Sequence, residues 1–176
     1  MFKQKSILKY ELISTIFIMI SGVLLHFAFK WFGNNVFVGI FTPINESIWE
    51  HLKLVFFPMT ISAIIGYFYE GKNIDNYLWA KMQGTILAMI FIVIFFYTYT
   101  GIIGKNIDFI NIGSYFLAII LGQSYAITKI KKDKENIDLK YVIFIFVILC
   151  LSFFVFTFSP PQINLFKDPV TSAFGI

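Results

Sequence analysis

Five long apolar runs decide most of what this chain can become. They cover residues 12–32, 48–69, 78–100, 112–128 and 139–158. A helix needs roughly 20 apolar residues, at about 1.5 Å rise each, to cross the hydrocarbon of a bilayer. Strand or coil exposed to lipid leaves backbone groups without partners, so these runs read as helices. The composition agrees: 58% of the 176 residues are hydrophobic, 14% are charged and the mean hydropathy is +0.78. A soluble domain of this length keeps too much wet surface to hide so many apolar side chains. The expectation is one all-α domain over 1–176, a polytopic transmembrane bundle of five spans followed by a tail at 159–176. The basic start and apolar first run lack a small-residue cleavage site, so the first run reads as an uncleaved helix.

The charges orient the bundle. All fourteen basic residues are lysines, giving a net charge of +4. With a cytoplasmic N-terminus, ten fall on inner segments: Lys3, Lys5, Lys9, Lys72, Lys81, Lys129, Lys131, Lys132, Lys134 and Lys140. Lys30, Lys53, Lys105 and Lys167 fall outside. That asymmetry predicts a plasma-membrane protein with its N-terminus inside and its C-terminus outside. Lysine excess of this kind belongs to the membrane and implies no nucleic acid. The single cysteine, Cys150, excludes an intramolecular disulfide and a CxxC metal or redox site.

One stretch departs from the apolar pattern: "FTPINESIWEHLK", residues 41–53. Thr42-Pro43 suits a helix start, and Ser47 followed by Glu50 is a capping box. If the second long helix begins near Thr42, Glu46 and Glu50 share a face, with Lys53 one turn on. Adjacent carboxylates then require a cation, a proton or a lysine between them. His51 points about 100° from Glu50, so its partner comes from another element. Pro58 lies inside this helix and predicts a kink, because it frees the Leu54 carbonyl.

In the first run Thr15, Gly22 and His26 form one helical stripe, and small or polar residues face other helices. An ionisable residue inside a membrane needs a partner. Glu46 and Glu50 are the candidates for His26. The topology puts His26, the 41–53 stretch and the tail on one membrane face. Convergence of His26, Glu46, Glu50 and His51 makes a ligand set for a divalent metal such as zinc. Plainer roles exist for each: a cap for Glu50, a helix-dipole partner for Glu46, an interhelical hydrogen bond for His26, and an interfacial position for Lys53.

"FTPINESIWEHLKLVFFP" and "PPQINLFKDPVTSAFG" resemble blocks of a family of small, multi-spanning bacterial membrane proteins known only as a domain of unknown function. The resemblance covers the whole chain and is carried by Asn45-Glu46-Ser47, Trp49 to Lys53, and Asp168-Pro169. It implies no activity, but it joins the polar stretch and the tail into one unit.

The functional classes that remain are three. One is binding or transport of a small solute or ion, with Asn45, Glu46, Lys53 and Asp168 as ligand-binding residues and with a homo-oligomer or partner subunit. Another is a metal-assisted hydrolase at the outer leaflet, with Glu50 and His51 catalytic, His26 as a further ligand and Lys53 anchoring a phosphate. The last is a non-catalytic accessory subunit. A haem held by His26 and His51 is a further arrangement of the same residues. The chain has no P-loop, dinucleotide glycine pattern or nucleophile elbow.

Overall fold

The computed structural model describes residues 2–132 and 137–175, with side chains from residue 6 onward. Lys134 and the side chains of Lys3 and Lys5 lie outside the described residues. The chain runs as α1 (Phe2–Trp31), a four-residue α2 (Val36–Gly39), α3 (Ile48–Tyr69), a 3-10 turn (Gly71–Asn73), α4 (Tyr77–Ile103), α5 (Asp108–Lys132) and α6 (Leu139–Phe158). Five of these are long and apolar enough to cross a membrane: Ser6–Trp31, Ile48–Tyr69, Tyr77–Ile103, Asp108–Lys132 and Leu139–Phe158. Among the described residues there is no strand, only one antiparallel bridge between Lys167 and Phe174.

The long helices alternate in direction. The end of α1 meets the start of α3 through His26 and His51, and the start of α1 meets the start of α4 through Glu11 and Tyr77. The end of α6 returns to the start of α3 through Thr157 and Glu50. Between these polar ends lies an apolar core of Ile18, Leu52, Val55, Phe56, Met59, Ala88, Ala118, Ile119 and Phe153. The outer surface is equally apolar, with Ile16, Leu24, Ile94, Phe144 and Leu151 all more than half exposed. So large a continuous apolar surface is a lipid-facing surface.

Helix ends follow local chemistry. At the end of α1, Gly33 takes φ 65°. Its N–H donates to Lys30 O, and Asn34 N donates to Phe29 O. This is a Schellman stop, which favours glycine at that position. Of the two helix starts that the sequence offers, Thr42-Pro43 and Ser47, α3 uses Ser47, at the edge of the 48–69 run. Ser47 is extended (φ −69°, ψ 152°) and its Oγ accepts from Glu50 N at 3.4 Å. Thr42 to Glu46 therefore remain loop, and Glu46 and Glu50 share no helical face. Only half of the capping box forms, because Ser47 N donates to Asn45 Oδ1 (3.0 Å) and not to Glu50.

α3 continues without a break through Pro58. The Leu54 carbonyl, which loses its helical donor there, faces Gly22 of α1, where a Cβ would sit 2.6 Å from that oxygen. The same Cβ would run into the Tyr115 hydroxyl of α5, which donates to Ile18 O at 3.1 Å and Met19 O at 3.0 Å. Gly22 is thus the point where α1, α3 and α5 touch. A second close approach pairs Gly84 of α4 with Gly122 of α5, each facing the other's carbonyl.

Candidate metal centre at the α1–α3 mouth

Three segments bring together His26, Glu46 and His51. α1 supplies His26 near its end, the loop before α3 supplies Glu46, and the first turn of α3 supplies His51. The two Nε2 atoms lie 3.2 Å apart. Glu46 Oε2 is 3.4 Å from His51 Nε2 and 3.8 Å from His26 Nε2. Metal bonds of about 2.0–2.1 Å in a tetrahedron separate the ligand atoms by ~3.3 Å. The observed triangle therefore already has nearly the size of one tetrahedral face.

One tautomer of His51 suits an ion. His51 Nδ1 lies 2.9 Å from Ser47 O. A neutral His51 donates there and leaves the Nε2 lone pair facing the cluster, the orientation of a metal ligand fixed through its other nitrogen. The two imidazoles, His26 first and then His51, hold the Glu46 carboxyl well below the usual carboxylate range. Glu46 is thus an anion facing two imidazole nitrogens. The His26 Nδ1 is buried and has no hydrogen-bond partner among the described residues. The side chains of His26, Glu46 and His51 are 34%, 44% and 27% exposed, so the group is accessible from outside the bundle.

Glu50 does not join this group. Its side chain turns inward, where Oε2 accepts from Lys53 Nζ at 2.6 Å and Ile44 N at 3.1 Å. Thr157 Oγ1 lies 3.2 Å from Glu50 Oε1. Lys53 is fully buried. Its Nζ also lies 2.8 Å from Gly39 O, 3.3 Å from Thr42 O and 2.6 Å from Thr157 Oγ1. Four acceptors for three protons leave it none to offer a phosphate, and it does not snorkel. Asn45 donates to Gly175 O (3.2 Å) and so ties the loop to the tail. Asp168 is buried within the tail itself, accepting from Val170 N (2.8 Å) and Thr171 Oγ1 (2.7 Å). Both remain outside the His–Glu–His triangle.

A second polar cluster, not expected from the sequence, sits at the opposite end of the bundle. Glu11 accepts from Lys81 Nζ (2.5 Å) and Tyr77 OH (2.6 Å). Lys81 also donates to Gln123 Oε1 at 2.6 Å, and Gln123 reaches Ser14 and Thr15, each at 3.3 Å. Glu11, Tyr77 and Lys81 are fully buried. The stripe of Thr15, Gly22 and His26 extends back one turn to Glu11, and that is the signal in the sequence that could have found it. Lys81 and Lys53 are therefore interior charges and not loop charges. Setting one aside from each group of the sequence-based assignment leaves nine lysines against three.

Apolar helices on every side and polar clusters at both ends define a helical membrane protein. The chain belongs to the family of unknown function DUF6512, whose match covers residues 1–176. No curated protein and no solved structure matches it.

Proposed function

We propose that this protein binds a divalent transition-metal ion through His26, Glu46 and His51 at the outer face of a bacterial plasma membrane. The observation that carries the reading is the His–Glu–His triangle, with ligand atoms within 4.8 Å of one another and all three side chains partly exposed. Two imidazoles and one carboxylate suit zinc and its neighbours in the first transition row better than magnesium or calcium, which require oxygen ligands. The lysine asymmetry supports the outward orientation.

Binding is favoured over the other classes by two observations. Glu50, the expected general base of a hydrolase, is committed to Lys53 and Thr157, and Lys53 has no free proton for a phosphate. An ion pathway needs polar groups along its length. Between the triangle and the Glu11 cluster stands the apolar core around Ile18, Val55, Phe56 and Met59.

Zinc titration of the detergent-purified protein, followed by calorimetry and metal analysis, tests the reading. One ion per chain is expected, with affinity falling on acidification as protons compete for the imidazoles. His26→Ala, Glu46→Ala and His51→Ala each lower affinity by about 100-fold or more, by analogy with losses on disturbing metal shells. Cys150→Ser leaves affinity unchanged. Zinc binding that survives His51→Ala at full strength overturns the proposal.

A further inference from the structure

Two neutral imidazoles and one carboxylate leave a divalent ion with a net charge of +1 and one vacant corner. An anionic oxygen satisfies both needs. The surroundings indicate its source. His26 lies five residues before the end of α1 and His51 in the first turn of α3. The ion is therefore within roughly one and a half turns, about 8 Å, of the helix ends, at the depth of lipid headgroups. The rings of His26, Phe27 and Trp31 contact one another in succession. Trp31, Phe32, Phe37 and Phe41 lie on the segment that joins His26 to Glu46, with 64%, 66%, 79% and 52% of their surface exposed. Exposed aromatic rings at a helix end belong to the membrane–water interface. The segment that joins two of the three ligands therefore carries side chains suited to headgroups and acyl chains.

We propose that the fourth ligand is a phosphate oxygen, supplied by a phospholipid headgroup, so that the ion bridges the protein to the lipid. The inference rests on the metal reading above. A phosphate diester carries one negative charge, which neutralises the site. The exposed aromatic rings of this segment favour the lipid over free phosphate because they gain burial only when acyl chains are present.

The test uses full-length protein in a maltoside detergent, loaded with Co²⁺, whose visible d–d spectrum reports the fourth ligand. Short-chain phosphatidylglycerol is expected to shift the spectrum and tighten Co²⁺ binding by at least about tenfold. Diacylglycerol, which lacks the phosphate, leaves both unchanged, and inorganic phosphate acts only at far higher concentration. Phe37→Asp, a change at an exposed side chain, weakens the lipid effect and leaves lipid-free Co²⁺ affinity intact. If Co²⁺ fails to bind at all, the metal reading falls and this inference with it. If Co²⁺ binds but phosphatidylglycerol changes nothing, only this inference falls. If inorganic phosphate matches phosphatidylglycerol at equal concentration, the lipid source is overturned.

Discussion

Lys53 is held by a carboxylate, a hydroxyl and two backbone carbonyls, all away from water. Removing one partner of such a pair leaves the other as an uncompensated buried charge, which costs about 3–5 kcal/mol. Lys53→Met and Glu50→Gln are therefore expected to lower the thermal midpoint of the purified protein sharply. The double variant recovers much of the loss, since replacing both charges removes the orphan. Additive losses in the double variant would show that the pair is not coupled. The residue scale is also where the sequence is hardest to read. Glu46 and Glu50 look alike in "NESIWEHLK", yet one faces two histidines and the other a lysine. The difference is made by Ser47, whose extended backbone starts α3 after Glu46 and so breaks the helical register between them. His51 was legible as a residue needing an outside partner, because its 100° offset from Glu50 is fixed by helix geometry. Asp168, expected among the ligand-binding residues, closes its own turn instead.

At the scale of elements, Gly22 carries the most consequence. Its missing side chain lets the Leu54 carbonyl and the Tyr115 hydroxyl reach α1 together. Gly22→Leu forces α1 away from both neighbours. Overpacking of this kind costs typically about 1–3 kcal/mol, and His26 lies one turn further along the same helix. The variant is expected to lose stability and to bind zinc more weakly, although no ligand is changed. Zinc affinity unaffected by a measured loss of stability would show that the α1–α3 distance does not govern the site. The five long helices were readable because apolar length alone demands them. Their ends were less so: α1 and α5 run well beyond the apolar windows 12–32 and 112–128. A window based on hydropathy stops at a charge such as Glu11, whereas the helix continues because Tyr77 and Lys81 receive that charge inside the bundle. Pairing across distant helices leaves no periodic trace in one sequence.

For the whole molecule, the orientation in the membrane decides which compartment supplies the ion. In a Cys150→Ser background, Val170→Cys is expected to react with a membrane-impermeant maleimide on intact cells, and Lys72→Cys only after permeabilisation. The opposite pattern would place the triangle on the cytoplasmic side and overturn the outward reading. The tail completes the same end of the bundle. Leu165 O accepts from Trp49 N at 3.0 Å, and Phe166 packs on the Trp49 ring. Gly175 O holds Asn45, the residue next to Glu46. These contacts tie the timing of synthesis to the state of the mouth. The ribosome completes α1 and α3 long before residues 165–175 emerge. Until then, the first turn of α3 lacks an acceptor for Trp49 N, and the loop bearing Glu46 lacks its anchor. The nascent protein therefore inserts its helices first and assembles the mouth last.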